Sequence, residues 1–345
     1  MTPRGRVAWP VPDRQPHGFE GSFCTCERQR DGKVVPMVEP LTSMGAGWLF
    51  AGVELGGTKC ICTLAHGPES VLEQHAVPTT VPQETLPAIL SILKDWDAKY
   101  GFSALGLASF GPLGLQPASG NYGHILATAK PGWPNADVLG VLATPFAVPT
   151  GLDTDVNGAA LAEMLWGCGQ GLDDFAYVTV GTGVGVGLFV NGAPTRGIGH
   201  SEIGHIRVPR LPGDTQESVC PYHGDCVEGL ASGTAVKARL AGRAVAGLEP
   251  DDPIWTPIVH TLAAMCHALV CTSGPQRIAI GGGVLTGQPH LHRRINEALV
   301  DSLAGYMPLP DDGDYIVAPL LGAEAGPLGS IALAAGALRR STITA

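Results

Sequence analysis

The residues whose types and spacing are most specific for chemistry lie between positions 197 and 233. Cys220, His223 and Cys226 form a C-x2-H-x2-C array, and His205 precedes this array by fifteen residues. Two thiols and two imidazoles match the number and the kind of ligand in a closed tetrahedral zinc site. Each short spacing lets neighbouring ligands converge without backbone strain. This favours a metal site over a chance cluster of core cysteines and surface histidines.

Two carboxylates are interleaved with these four residues. Glu202 lies before the array, and Glu228 lies two residues after Cys226. A metal that fixes a loop while carboxylates flank it indicates a scaffolded polar pocket rather than an isolated structural finger.

Three glycine-rich turns each follow a β-rich run, and they could contact phosphate. They are Glu54–Lys59 (ELGGTK), Thr179–Gly185 (TVGTGVG) and Gly281–Val284 (GGGV). Glycines let backbone N–H groups approach phosphate oxygens, and the threonine and lysine of the first turn add a hydroxyl and a charge. The first turn is neither a Walker A sequence nor a dinucleotide fingerprint. A single turn could be a plain hairpin, but three turns spread over both halves predict one nucleotide clamped between two domains.

A pair of aspartates, Asp153 and Asp155, lies at a predicted strand-to-helix junction. Phosphoryl transfer to an alcohol needs a carboxylate that accepts the hydroxyl proton, together with a metal and positive groups for the phosphates. Alternate residues of a strand point to opposite sides, so only one of the two can face a given cleft. The other interpretation is an N-cap for the helix that begins near Asn157, and the sequence slightly favours this for one of the two.

Length and composition bound the class of protein. The chain has 345 residues, 45% of them hydrophobic and 15% charged, which predicts a globular protein of about two domains. A formal net charge of −10 argues against nucleic-acid binding. No apolar run is expected to be long enough to cross a membrane. Nine cysteines, an odd number in a long chain without a secretory signal, predict a cytoplasmic protein rather than a disulfide framework.

The order of the predicted elements indicates the fold class. Strands followed by helices occur in two successive rounds, which predicts an α/β protein built from two similar halves. Residues 1–47 lack sustained periodicity and are predicted to be a poorly ordered extension. The Cys24 and Cys26 pair in this extension is a weak metal motif, and Met44 is a plausible alternative start of the protein.

Six motifs together resemble the sugar kinases of the ROK family (repressor, open reading frame, kinase). They occur in the order ELGGTK, DTDVN, VGTGVGVG, HSEIGH, CPYHGDCVEG and IGGGV, and the resemblance spans roughly Trp48 to the C-terminus. Glucokinases and repressors of the family usually carry a C-x-C-G-x2-G-C-x-E element. The element found here, together with SFGPLG at 109–114 and AKPGW at 129–133, is similar to the fructokinase branch.

The resemblance implies a role for each matching position. Asp155 matches the general base that deprotonates the sugar hydroxyl. Glu202, His205 and Glu228 match residues that bind the sugar, and the family's histidine at this position is also a zinc ligand. The metal ligands implied are His205, Cys220, His223 and Cys226. The nucleotide-binding positions implied are Gly56, Gly57, Thr58, Lys59, Thr182, Gly183, Gly282 and Gly283.

The resemblance also implies an architecture. The family has an actin-like, ribonuclease-H-like α/β fold with a cleft between two domains. Here the first domain would comprise residues 48–160, completed by a C-terminal helix at about 327–340. The second domain would comprise residues 161–326 and carry the zinc-bound loop. Magnesium with ATP, a structural zinc ion and a homodimer are implied as well.

The implied reaction is the ATP-dependent phosphorylation of fructose to fructose 6-phosphate. Glu54 stands where the family usually has aspartate, a change that fructokinase-like members often share. Thr154 stands where glucokinases usually have asparagine, which weakens a glucose assignment. Two alternatives stay open: a kinase for mannose, glucose or an N-acetylhexosamine, and a catalytically silent sugar-binding regulator. The regulator is disfavoured because residues 1–47 are too short and proline-rich for a winged helix, and because the net charge is negative.

Overall fold

A computed structural model describes residues 47–245, 247–310 and 315–344. The predicted extension, the Cys24 and Cys26 pair, and the Met44 start therefore lie outside the described residues.

The first half of the described chain is built on a five-stranded mixed sheet. The strand order is β3-β2-β1-β4-β5; β1 to β3 form an antiparallel meander, and β1, β4 and β5 are parallel. Buried aliphatic residues on β1, β2 and β4 pack against the first helix to form one hydrophobic core. The elements are β1 (Phe50–Leu55), β2 (Lys59–Gly67), β3 (Ser70–Pro78), α1 (Pro82–Lys99), β4 (Ala104–Ser109), α2 (Val138–Ala143) and β5 (Thr150–Thr154).

The second half repeats this arrangement. Its sheet has the order β10-β9-β6-β7-β8, again with an antiparallel meander on one side and two parallel neighbours on the other. The prediction of an α/β protein built from two similar halves is confirmed. The strands are β6 (Phe175–Val180), β7 (Val184–Val190), β8 (Ala193–Pro194), β9 (Arg277–Gly281) and β10 (Ile316–Val317).

Seven further helices complete the described part of the chain. They are α3 (Asp155–Trp166), α4 (Val227–Ala231), α5 (Gly233–Leu240), α6 (Trp255–Thr272), α7 (Gly283–Thr286), α8 (His290–Leu303) and α9 (Ala325–Thr344). The sequence predicted a helix that begins near Asn157, which is α3, and a C-terminal helix, which is α9, but not α8. The signal for α8 was present, because its buried residues recur every four positions, at Leu291, Ile295, Leu299 and Leu303.

Helix α6 corrects one expectation from the sequence. By length and composition this helix is apolar enough to cross a membrane, whereas no segment was expected to be. In the structure 56% of that window is buried inside the protein, against the second sheet. A core helix of a globular protein has these properties, so they are weak grounds for a membrane assignment.

Helix α9 lies directly on the first sheet because three adjacent strands carry glycine at the contact. Gly52, Gly106 and Gly151 are register partners on β1, β4 and β5. A Cβ atom at any of them would lie less than 3.0 Å from an atom of Ser330 or Leu333 in α9. The missing side chains allow backbone and helix to approach closely, and they fix where the helix sits.

We expect Gly106→Ala to destabilise the protein strongly. The added methyl would meet the Ser330 carbonyl oxygen and the Ala334 nitrogen, which are backbone atoms that cannot rotate away. Overpacking of this kind costs about 1–3 kcal/mol or more of unfolding free energy. Gly67→Ala is the matched control, because Gly67 is in the same sheet and has no atom within 4 Å of the added methyl. Equal denaturation midpoints for the two variants would contradict the prediction.

Candidate functional site

Three loops leave the first sheet at the same edge. Leu55 of β1, Ser109 of β4 and Thr154 of β5 are register partners at the carboxyl ends of parallel strands. The residues that follow them, Gly56, Phe110 and Asp155, therefore emerge side by side. Ligands of open α/β sheets bind outside the carboxyl ends of parallel strands.

The first glycine turn is hydrogen-bonded to Thr79 on one side and exposed on the other. The Thr79 hydroxyl donates a hydrogen bond to the Gly56 carbonyl at 2.8 Å, and the Thr79 N–H donates to the Thr58 carbonyl at 3.0 Å. Gly57, Thr58 and Lys59 are exposed. The turn thus presents its outer backbone and the Lys59 side chain to a ligand.

The second and third glycine turns meet at the corresponding edge of the second sheet. Thr179 of β6 and Gly281 of β9 are parallel register partners, so the turns that follow them are neighbours. Gly282 has a φ of +89°, and a Cβ atom there would lie 2.5 Å from the Val180 nitrogen. Of the predicted nucleotide positions in these turns, Thr182 and Gly283 are exposed, while Gly183 and Gly282 are partly covered.

The structure separates the roles of the two aspartates. Thr154 is the N-cap of α3, because its hydroxyl accepts a hydrogen bond from the Asn157 N–H at 3.2 Å. The expectation that one aspartate is the N-cap is therefore wrong. Asp153 is buried and forms an ion pair with Arg196, whereas Asp155 is the first residue of α3 and its Oδ1 accepts a hydrogen bond from the Val156 N–H.

Three carboxylates near these turns have raised pKa values. Burial raises the pKa of Asp155 to about 6. Burial, and next the charge of Asp155, raise the pKa of Glu54 to about 7. Partial burial, followed by Glu228 and Asp155, raises the pKa of Glu202 to about 7, although water weakens this effect at a side chain that is 46% exposed. Burial of ionisable groups, with added repulsion between neighbouring carboxylates, is typical of a functional site.

The four predicted metal ligands are brought together. All four ligand atoms lie within 4.8 Å of one another. The Cys220 sulfur is 3.8 Å from His205 Nδ1 and 3.6 Å from His223 Nδ1, and the Cys226 sulfur is 3.9 Å from His205 Nδ1. Sulfur and nitrogen ligands of one tetrahedral zinc ion are separated by about 3.6 Å. The donor set and its spacing therefore fit a zinc ion.

Glu228 connects the metal cluster to the second glycine turn. His205 turns Nδ1 towards the two thiols, while its Nε2 lies 4.0 Å from Glu228 Oε1. The other carboxylate oxygen of Glu228 accepts a hydrogen bond from the Val184 N–H at 3.1 Å. A cation held at the cluster would therefore also position His205 and Glu228.

The segment from Arg196 to Glu202 joins the two halves of the described chain. Arg196 pairs with Asp153, and the Leu113 N–H donates to His200 Nε2 at 3.0 Å. His200 Nδ1 lies 3.5 Å from Glu202 Oε1. A signal was present in the sequence, because His200 opens the HSEIGH motif, but only the glutamate and the second histidine of that motif were given roles.

Comparison with known proteins agrees with this arrangement of motifs. The profile described as "ROK family" matches residues 50–337, which is most of the chain. The chain belongs to the ROK family.

Named relatives of this family cover nearly the same region. The fructokinase of Pediococcus pentosaceus is 39% identical over 293 residues, which span 85% of this chain and 100% of the relative. The fructokinase of Zymomonas mobilis is 41% identical over 296 residues, which span 84% of this chain and 97% of the relative. Both confirm the family prediction made from the motifs.

A solved structure confirms the fold. The ROK hexokinase from Thermus thermophilus superposes with a TM-score of 0.67 at 27% identity, and the match covers 86% of this chain and 99% of the hexokinase. The predicted actin-like, ribonuclease-H-like α/β class is therefore correct.

Removal of one thiol tests the metal cluster. We expect Cys220→Ser to lose most of the bound metal, because serine is a poor ligand for a soft site, and to unfold at a lower temperature than the parent protein. Elemental analysis of the purified protein measures the metal content. Cys271→Ser, at an exposed cysteine on α6, is the matched control and should keep its metal. Equal metal content in both variants would exclude Cys220 as a ligand.

Proposed function

We propose that this chain transfers the γ-phosphoryl group of ATP to fructose and produces fructose 6-phosphate. The position of Asp155 supports this most directly, because its carboxylate follows the carboxyl end of β5 beside the first glycine turn. The similarity to fructokinases over most of the chain supports the choice of sugar. Mannose, glucose and an N-acetylhexosamine are alternative substrates that the assay below separates.

Asp155 is the proposed general base. Its carboxylate would accept the proton of the sugar's primary hydroxyl as the oxygen attacks the γ-phosphorus, and the bond from that phosphorus to ADP breaks. A carboxylate with a pKa near 6 is still ionised at neutral pH, and it is a stronger base than an ordinary aspartate.

The glycine turns are the proposed nucleotide site. Gly56 to Lys59 and Thr182 to Gly183 would contact the phosphates, and Gly282 and Gly283 the adenosine. Magnesium enters with ATP and neutralises phosphate charge, and Glu54 is the carboxylate of the first turn that would hold its water. The raised pKa of Glu54 is consistent with a side chain that gains from a nearby cation.

The His and Cys cluster is the proposed structural zinc site. Zinc would supply no step of the reaction; it would hold the loop that carries Glu202, His205 and Glu228, the proposed sugar-binding residues. Because the Val184 N–H donates a hydrogen bond to Glu228, a fixed Glu228 would also help to position the second glycine turn.

We retain the domain assignment as a proposal. The first domain would contain residues 48–160, completed by the C-terminal helix at about 327–340, and the second would contain residues 161–326 with the zinc-bound loop. Burial of α9 against β1, β4 and β5 supports this division. Homodimer formation, which the resemblance implied, is likewise a prediction; molar mass in solution would test it.

A coupled assay of ADP release tests the function. Purified protein is supplied with ATP, Mg²⁺ and, in parallel, fructose, mannose, glucose or N-acetylglucosamine. We expect the highest kcat/KM with fructose. Turnover of an aldose alone would overturn the choice of substrate but keep the kinase. Silence with every sugar, from protein that holds its metal, would overturn the kinase and favour a regulatory sugar-binding role.

Asp155→Asn tests the proposed base. We expect kcat to fall by about 10² to 10⁴, because the amide cannot accept the hydroxyl proton. In the parent protein kcat/KM should fall as pH decreases through about 6 to 7, the range in which Asp155, Glu54 and Glu202 become protonated. Asp97→Asn, on the exposed face of α1, is the surface control.

The controls for this variant are structural. Asp155→Asn should keep the metal content of the parent, and its denaturation midpoint should be no lower than that of the parent, because a buried charge has been removed. Normal turnover by folded Asp155→Asn protein would refute the role of Asp155 as base.

A further inference from the structure

Lys130 is a cation that lies against the first glycine turn. It lies in the connection between β4 and α2, which folds back over the first glycine turn. Its ammonium donates a hydrogen bond to the Gly57 carbonyl and stands 4.9 Å from the centre of the Phe110 ring. A Cβ atom on Gly57 would lie 3.3 Å from this nitrogen. Lys130 thus contacts both the first glycine turn and Phe110, the residue that directly follows β4.

The charge of Lys130 is only partly balanced within the protein. Among the described residues, no carboxylate lies within 4.0 Å of its ammonium. Burial lowers its pKa, while the charges of Cys60 and Asp155 act in the opposite direction. One carbonyl and one aromatic face leave ammonium protons available to a further acceptor, because a lysine has three donors. A half-buried cation in this position is stabilised when an anion binds beside it.

The two neighbours of Lys130 indicate where that anion would lie. The Gly57 carbonyl fixes the ammonium at the outer face of the first turn, where the proposed site holds the terminal phosphates. Asp155, the proposed base, is close enough to influence the ammonium electrostatically, yet it forms no ion pair with it. The space between the two groups is where the sugar hydroxyl and the γ-phosphorus would meet.

We propose that Lys130 binds the phosphoryl group during its transfer from ATP to the sugar. This inference rests on the function proposed above. As the sugar oxygen bonds to phosphorus, the bond to the ADP oxygen breaks and the hydroxyl proton passes to Asp155. Negative charge is spread over the three equatorial oxygens at that point, and a fixed ammonium stabilises it. Lys130 keeps its own protons throughout.

A structural role makes a different prediction. If Lys130 only held the connection between β4 and α2 against the first glycine turn, its loss would loosen that connection. The denaturation midpoint and substrate affinity would then suffer more than kcat. A role in the transition state predicts the reverse, because an interaction made only there lowers kcat and leaves substrate binding unchanged.

Lys130→Met and Lys130→Arg separate these roles. Methionine keeps much of the side-chain length without charge, and arginine keeps the charge with a different shape. We expect kcat of Lys130→Met to fall by about 10² or more, with the KM values for sugar and ATP changed by less than about threefold. Lys130→Arg should recover part of the rate. Lys94→Met, at an exposed lysine of α1, is the matched control and should behave as the parent.

Binding of a transition-state mimic supplies a readout that does not depend on turnover. ADP, Mg²⁺ and aluminium fluoride with fructose imitate the phosphoryl group in transfer. The parent protein should bind this set more tightly than ADP with Mg²⁺ alone, as titration calorimetry measures. In Lys130→Met, the ratio of the affinity for the mimic to the affinity for ADP with Mg²⁺ should be at least tenfold smaller than in the parent. Its affinity for ADP should be unchanged.

The outcomes are distinguishable. Parent-like kcat in Lys130→Met, or a retained kcat with raised KM and a lowered denaturation midpoint, would overturn the role of Lys130 and leave the proposed kinase intact. If Lys130→Met binds the mimic more tightly than ADP by the same factor as the parent, the proposed role of Lys130 would be overturned as well. Absence of turnover by the parent with every sugar would overturn both proposals.

Discussion

The close packing of helix α3 between α9 and the second sheet is the constraint on which the rest of the site depends. A Cβ atom on Gly329 of α9 would lie less than 3.0 Å from backbone atoms of Gly158 and Ala159 in α3. On the other side, a Cβ on Gly187 of β7 would meet the Val156 carbonyl at a similarly short distance. Glycine on both flanks leaves α3 little room to shift. Because Asp155 is the first residue of this helix, the packing also sets where the proposed base points.

The far end of α3 is fixed by a buried carboxylate. Glu163 is fully buried and accepts hydrogen bonds from the N–H groups of Cys168, Leu320 and Leu321. Its side chain thus joins the turn after α3 to the segment that leads into α9. Backbone donors that satisfy a buried carboxylate compensate for much of its desolvation. The helix that carries Asp155 is therefore held at one end by polar contacts and along its length by glycine contacts.

Local pattern predicted much of this molecule, and long-range contact decided the remainder. The β-rich runs before the three glycine turns predicted β1, β6 and β9, and the C-x2-H-x2-C spacing predicted ligands that do converge with His205. The expectation of an N-cap at one of the two aspartates was wrong, because Thr154 caps α3 and the Asp153 carboxylate pairs with Arg196, which is 43 residues away in sequence. Lys130 was quoted only as part of a motif, since its contact with Gly57 spans 73 residues. No periodicity or short spacing records contacts of that separation.

Charge explains why these elements belong to one site. Glu54, Asp155 and Glu202 all have raised pKa values, with burial as the largest cause and with neighbouring carboxylates adding to the shifts of Glu54 and Glu202. Such an arrangement destabilises the empty protein modestly and becomes favourable when cations or hydroxyl donors enter. The proposed substrates supply both, as magnesium with ATP and as the hydroxyls of a sugar. Lys130 carries the opposite charge and lies where the proposed function places the phosphate. The carboxylates would be balanced by the bound cation and the sugar hydroxyls, and Lys130 would be balanced by the charge that develops on the phosphoryl group during transfer.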